Sequence, residues 1–140
     1  MPTSTSISLT RSASPLFSET LKNGIVRSDN LEITFESMND AFWGCSNLEI
    51  VATDAPNLSN ATNLSGMFAN ANKVNSPLSH WDVSTIENMR SMFSYAIAFN
   101  QSLASWNVSN VDDMTAMLDS SNLSVENYSA TLEAWSQQKD

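Results

Sequence analysis

The 140-residue sequence contains few of the residues that build catalytic and metal sites: one cysteine, one histidine and three glycines. Cys45 stands alone, so no disulfide framework forms within the chain. One His and one Cys far apart in sequence give no zinc spacing. With three glycines there is also no glycine-rich nucleophile elbow. We therefore expect no bound metal, no cofactor and no enzymatic activity.

Positive charge is also scarce. Six Lys and Arg stand against 15 Asp and Glu, giving a net charge of −9. Nucleic-acid affinity comes largely from Lys and Arg, so this balance excludes a phosphate-binding surface, and it disfavours an anionic membrane face. Charged residues make up only 15% of the chain, and Ser and Asn, which favour turns and caps, supply the polarity instead.

Long apolar runs are missing as well. No run reaches the length that spans a membrane. The opening stretch Met1–Ser6 lacks the basic start and apolar core of a signal peptide. If the parent protein is exported, we expect this chain to be an excised piece without its targeting segment. Its length is that of one domain.

What the sequence does contain is a repeat with a step of 25 residues. The phrase from Met89 to Phe93 returns from Met114 to Leu118. Further positions that recur at this step are Leu58, Val83 and Val108; Ala61, Ile86 and Val111; and Met67, Met92 and Met117. An earlier copy, Met38–Phe42, matches Leu64–Phe68 with a step of 26. Such a period indicates stacked units that share one continuous core.

The apolar spacing changes within each unit. One stretch has the spacing of a short helix face, formed by Ile86, Met89, Met92, Phe93 and Ala96. Upstream, Trp81–Ser84 alternates apolar and polar residues, as a short half-buried strand does. The predicted fold class is an α/β repeat solenoid of short parallel strands and short helices, with a cap at each end.

Both ends of the array break the period. Ser124 precedes a segment in which Val125, Tyr128, Leu132 and Trp135 share a helical face that we expect to cover the last unit. At the other end, an alternating strand is expected over Leu31–Phe35 and a short helix over Pro15–Lys22. The predicted organisation is a flexible segment and capping strand at 1–36, three to four units at 37–122, and a capping helix and tail at 123–140.

The units from Trp81 to Leu118 resemble the repeat of BspA-like bacterial surface proteins, relatives of the leucine-rich repeat. That family's unit reads W-[DN]-V-S-x-V-x-x-M-x-x-M-F followed by F-N-Q-x-L, and the likeness covers about 57–135, weakening over 37–56. The resemblance implies a right-handed, leucine-rich-repeat-like coil on the bacterial surface, in proteins associated with adhesion. It supplies no catalytic residue.

Polar residues of the predicted strands are the candidates for binding. If Trp81 and Val83 face the core, their polar neighbours face outward and form rows with their copies in adjacent units. The candidate ligand-binding residues are His80, Asp82, Ser84, Asn107 and Ser109. Two interpretations stay open: a binding face for an extended ligand, or a structural ladder that caps turns.

Other motifs have simpler interpretations. Ser79, His80 and Asp82 have the residue types of a hydrolase triad, but adjacent side chains on an extended segment point to opposite faces. Asp112 and Asp113 lack the spacing of a calcium loop and are explained as helix-start acids. The Asn-x-Ser/Thr triplets, read as glycosylation acceptors, are explained by turns and caps of the repeat.

These observations favour a non-enzymatic, adhesion-type module of a bacterial surface protein. Its expected partner is a protein, peptide or glycan on a host or neighbouring cell, without nucleic-acid binding or membrane insertion. The expected form is a monomeric domain of a larger chain. A passive spacer within a larger adhesin is the alternative function.

Overall fold

The computed structural model describes residues 37–50 and 55–138, together with the backbone of three upstream strands. The helical and extended elements are β1 (Thr5–Leu9), β2 (Ile25–Val26), β3 (Leu31–Phe35), β4 (Glu49–Ile50) and α1 (Val125–Ser136). About half of the remaining described chain consists of turns. The repeat units lie between β3 and α1.

The four strands form two parallel pairs. β1 pairs with β3, with Thr5 opposite Leu31, and β2 pairs with β4, with Ile25 opposite Glu49. The predicted strand at Leu31–Phe35 is confirmed. β1 lies in the segment that was predicted to be flexible, whereas the predicted helix at Pro15–Lys22 falls outside the described residues. Both pairings join residues about one repeat apart in sequence.

Successive units lie side by side. Single parallel bridges join Ser37 to Asn63, Asn63 to Asn88 and Asn88 to Asp113. From each bridge onward, every second backbone N–H donates to a carbonyl of the following unit. The third unit begins at the bridge residue Asn88 and the fourth at Asp113. Between these two units the N–H donors and carbonyl acceptors are, in pairs, Met89 and Asp113, Ser91 and Thr115, Phe93 and Met117, and Tyr95 and Asp119, at 2.8, 2.9, 2.9 and 2.9 Å. Each unit thus has a donor edge and a carbonyl edge.

The stretches that carry these bonds, here called the turn segments, are residues 38–44, 64–70, 89–95 and 114–120. They are not helical, so the predicted short helices are wrong. Each turn segment has two residues with positive φ, such as Ser91 at 54° and Tyr95 at 57°. An α-helix needs negative φ throughout, and a left-handed residue costs about 1–2 kcal/mol. The remaining N–H groups close turns, as Met92 does on Met89 at 3.2 Å.

Trp81–Ser84 is not a strand either, which corrects a second prediction. Its burial alternates as expected: Trp81 and Val83 are buried and Asp82 is exposed. The chain turns at Ser84, because the Asp82 carboxylate accepts the Ser84 N–H at 3.0 Å. A local bond of this kind competes with a strand ladder for the backbone donor.

The core is a column of equivalent side chains. The rings of Phe42, Phe68 and Phe93 stack with centroid separations of 5.6 and 5.5 Å, and Phe99 lies 4.0 Å from Phe93. Stacked aromatic pairs contribute about 0.5–1.5 kcal/mol beyond their burial. The methionines that recur beside this column are also buried, namely Met67, Met92 and Met117. Repetition therefore builds the core by adding one layer per unit.

α1 docks on the stretch between the third turn segment and the bridge at Asp113, residues 96–112, here called the loop half of the third unit. As predicted, Ser124 caps it, its hydroxyl accepting the Asn127 N–H at 3.2 Å. The indole Nε1 of Trp135 donates to the Leu103 carbonyl at 3.1 Å, and the Leu103 N–H donates to Thr131 Oγ1 at 3.1 Å. α1 thus bonds the backbone groups that another unit would meet.

The predicted contact face of α1 is wrong except for Trp135. Thr131 and Trp135 are 0% and 8% exposed, whereas Val125, Tyr128 and Leu132 are 78%, 47% and 43% exposed. The hydrogen bonds to Leu103 fix the rotation of the helix, and they turn much of the apolar face toward solvent. Apolar spacing alone does not report these bonds.

Candidate functional site

Three exposed pairs of residues recur at the 25-residue step and share one geometry. In each pair the Oδ1 atom of Asn or Asp accepts both the N–H and the hydroxyl of a serine two residues later. The pairs, here called the Asx–Ser row, are Asn57–Ser59, Asp82–Ser84 and Asn107–Ser109, with N···O distances of 3.1, 3.0 and 3.1 Å and O···O distances of 2.7, 2.6 and 2.7 Å.

Buried neighbours orient the row outward. Trp106 and Val108, on either side of Asn107, are 1% and 3% exposed. The Trp106 ring lies 6.3 Å from Phe93, and its Nε1 donates to the Leu78 carbonyl at 2.8 Å. Because these anchors fix the backbone, the side chain of Asn107 is directed to solvent.

Bonds between units hold the row together. The Ser105 hydroxyl donates to the Ser79 carbonyl at 2.9 Å. The amide of Asn110 donates to the Ser84 carbonyl at 2.6 Å. These two bonds join residues 79–84 of one unit to residues 105–110 of the next, so copies of one position lie on adjacent units and can contact one extended ligand.

The row retains polar atoms without a partner among the described residues. They are the Oδ2 of Asp82 and the amide nitrogens of Asn57 and Asn107. The row therefore presents an acceptor flanked by two donors, in side chains already held by their bonds to serine. Groups fixed in this way lose little conformational entropy when they bind.

The pKa of the Asp82 carboxyl lies below its ordinary value of 3.8, mainly because the Ser84 hydroxyl and then the Ser84 N–H stabilise the charged form. Asp82 is thus ionised at neutral pH. A carboxylate at this point favours a ligand with a hydrogen-bond donor or a positive charge.

The five candidate residues do not all fall in the row. Asp82, Ser84, Asn107 and Ser109 belong to it, and His80 lies before it on an exposed turn. Ser105 is the copy of His80 one step later, so histidine is not a repeated feature. Of the residues with the types of a hydrolase triad, Asp82 uses its Oδ1 atom to accept the N–H and the hydroxyl of Ser84.

Sequence reasoning omitted Asn57 and Ser59 from the candidates although both recur at the same step. It also missed Ser105 and Asn110, which join the units. Asn57 and Ser59 could have been predicted from the repeat itself. The second pair has no repeated signature, because the copies of Ser105 and Asn110 in the preceding unit are His80 and Thr85.

Asp113, which was predicted to be a helix-start acid, serves a different purpose. Asp113 forms the bridge to Asn88 and accepts the Thr115 N–H at 2.9 Å. Bonds from Thr115, and then the charge of Arg90 at 3.9 Å, lower the pKa of Asp113. Over the described residues, no group of three His, Cys, Asp or Glu side chains could hold a metal ion.

A further ladder joins the loop that follows the second turn segment to the loop that follows the third, and then to α1. Asn75 Oδ1 accepts the Asn100 N–H at 2.8 Å, and Asn100 Oδ1 accepts the Ser124 N–H at 2.8 Å. The amide of Asn127 completes it, donating to Asn100 Oδ1 at 2.9 Å. These asparagines bond to the next unit, so their role is structural.

A family model described as "Mycoplasma protein of unknown function, DUF285" matches residues 16–139. The chain belongs to the DUF285 family. No significant match was found among curated proteins or among solved structures.

The DUF285 match includes all the described units and α1, and it extends upstream over β2 and β3. The family is bacterial and its function is unknown. None of the described helices of this DUF285 chain is both long and apolar enough to cross a membrane.

Proposed function

We propose that this DUF285 chain is a non-catalytic recognition module of a bacterial surface protein. Its units would form a solenoid related to the leucine-rich repeat, of the kind found in BspA-like proteins, built from turn segments instead of helices. The proposed ligand is a protein, peptide or glycan on a host or neighbouring cell. It would lie along the Asx–Ser row.

The observation that carries this proposal is the geometry of the row. Three copies of one exposed pair hold the same hydrogen bonds, yet each retains an unpaired polar atom on its Asn or Asp side chain. Repeat proteins use such regularly spaced surfaces for extended ligands. The net charge of −9 favours a neutral or cationic ligand over a nucleic acid.

A spacer function is the second candidate, and a specific observation favours it. Every Oδ1 atom of the row is already used to fix its own turn. Side chains with this role stabilise a coil without any ligand. In that case the row would serve the fold, and the module would extend a larger adhesin.

Variants that exchange Asn and Asp distinguish the two functions. The row uses both residue types in the same turn, so the exchange preserves the turn and changes only the group that a ligand would meet. Asp82→Asn keeps the Oδ1 acceptor for Ser84 and removes the charge. Asn107→Asp keeps the turn and removes the amide donor. The matched control is Asn88→Asp, which makes the same exchange in a turn at the bridge, where Asn88 Oδ1 accepts the Arg90 N–H at 2.9 Å.

The purified chain and these variants would be screened on glycan and peptide arrays and on fixed cells, with and without calcium. If the row binds, Asp82→Asn and Asn107→Asp lose the signal, their melting temperatures stay near the parent value, and Asn88→Asp binds normally. Equal binding by all variants would contradict the row as the binding site, and no binding by the parent chain would contradict the recognition function and leave the spacer.

A further inference from the structure

The donor edge of the fourth turn segment is unpaired. In the third unit the N–H groups of Met89, Ser91, Phe93 and Tyr95 all donate to the next unit. The equivalent N–H groups of the fourth unit have no acceptor among the described residues. They belong to Met114, Ala116, Leu118 and Ser120. The N–H groups of such an exposed edge can donate hydrogen bonds to the carbonyls of another polypeptide backbone.

An apolar groove of about 480 Å³ lies beside this edge. Met114 and Leu118 line one side, and Tyr128, Leu132 and Trp135 of α1 line the other. Tyr128 and Leu132 remain 47% and 43% exposed. A polypeptide can bind such a site with two kinds of group. Its carbonyls would accept hydrogen bonds from the backbone donors, and its apolar side chains would pack against the apolar side chains of the groove.

α1 limits the size of the occupant. Just beyond its C-terminal end, the Gln138 amide donates to the Trp106 carbonyl at 2.9 Å and accepts the Val108 N–H at 2.7 Å, so the loop half of the third unit is covered. Only the half formed by the fourth turn segment is open. A whole further unit would need the backbone groups of Leu103, Trp106 and Val108, which are already bonded by α1 and Gln138, so we consider a single segment with the length of one turn segment.

Two copies of this chain cannot satisfy the edge by meeting through the same face. A two-fold interface places each surface against itself, which would set N–H donors against N–H donors. Asp119 also lines the groove, and each copy has a net charge of −9. The occupant must present carbonyls and is favoured by positive charge.

We propose that this groove, here called the C-terminal groove, binds a peptide segment of a partner protein. The segment places carbonyls on the unpaired donors, apolar side chains between Leu118 and Leu132, and a basic residue near Asp119. This site lies apart from the Asx–Ser row, so it does not depend on the proposed function.

The chain supplies its own probe, a synthetic peptide with the sequence of residues 86–96. In the folded protein this stretch offers the carbonyls of Asn88, Arg90, Met92 and Ser94 to the donors of the second unit, and it contains a basic residue. Binding to the intact chain is measured by amide chemical shifts and hydrogen exchange in NMR, with a scrambled peptide as the control.

The peptide is expected to shift the amides of Met114, Ala116, Leu118 and Ser120 and to slow their exchange. Tyr128→Ala and Leu132→Ala should each weaken binding about tenfold, the effect of losing one buried apolar contact. Val125→Ala removes an exposed helical residue that does not line the groove and should change the affinity less than about twofold. Asp82→Asn should bind the peptide normally.

The proposal is overturned by equal binding of the scrambled peptide, by shifts confined to the Asx–Ser row, or by no shift at millimolar peptide. Concentration-dependent shifts of the same amides without peptide would identify a second copy as the occupant and also overturn it. Amide spectra of the Ala variants without peptide verify that each is folded, so that lost binding is not lost structure.

Discussion

At the scale of single residues, the molecule depends on side chains that bond to their own backbone. Asp82 and Asn107 each hold a serine two positions later, and Asn63 and Asp113 hold the N–H two positions later at the bridges. Asn, Asp and Ser favour this geometry because their short side chains reach the adjacent backbone. The scarcity of glycine is explained in part, since residues other than glycine occupy most of the left-handed positions.

The pKa of Asp82 tests this role directly. Because the folded pKa is lowered below 3.8, the carboxylate stabilises the fold above that pH, and the contribution is lost as the pH falls through the folded value. Ser84→Ala should raise the pKa of Asp82 toward 3.8 in a carboxyl NMR titration. Ser109→Ala, one unit away, is the control and should leave it unchanged. An unchanged value in Ser84→Ala would contradict the assigned cause.

The sequence predicted which residues of the row are exposed but not what they do. Alternation of Trp81, Asp82 and Val83 correctly gave the direction of each side chain. It could not reveal the bond from Asp82 to Ser84, because a strand and a turn share the same alternation over so few residues. Asn57 could have been predicted from the repeat alone, because it lies 25 residues before Asp82.

At the scale of elements, α1 and the turn segments were predicted with different success. α1 has a capping serine, a regular apolar spacing and no residue that must adopt positive φ, so sequence alone located it. The turn segments have the same apolar spacing, but their alternate N–H groups bond to the next unit. These hydrogen bonds require a neighbouring unit, so the turn conformation cannot be predicted from the sequence of one unit alone.

Thr131 is the residue through which α1 holds the third unit. Thr131→Val keeps the shape but removes the acceptor of the buried Leu103 N–H, and an unsatisfied buried donor costs about 1–3 kcal/mol. Urea unfolding measures this loss. Ser129→Val is the control on the same helix, because Ser129 is exposed. A loss no larger than that of the control would mean that the bond to Leu103 does not anchor α1.

At the scale of the whole molecule, one column of rings and methionines runs through the units. Phe68 contacts Phe42 on one side and Phe93 on the other. The repeat predicted these equivalences, since Phe68 and Phe93 are 25 residues apart and Phe42 and Phe68 are 26 apart. Stability is therefore a sum over interfaces between neighbouring units, and damage to one layer affects both of its neighbours.

Phe93 lies in the middle of this column and is fully buried. Phe93→Ala should lower the free energy of unfolding by about 3–5 kcal/mol, the range for large aromatic truncations in a packed core. The matched control is Tyr95→Ala, two residues away and 52% exposed, which should cost far less. Urea denaturation followed by tryptophan fluorescence measures both. Similar losses in the two variants would show that the column does not carry the stability.

The interface between neighbouring units has a consequence for the gene. The same alternation of backbone donors and carbonyls joins the turn segments at each junction between described units. An in-frame exchange between two copies of the repeat in the DNA therefore adds or removes a whole unit and creates no new kind of junction. A lineage can lengthen or shorten such a protein in one recombination event, without having to evolve a new core.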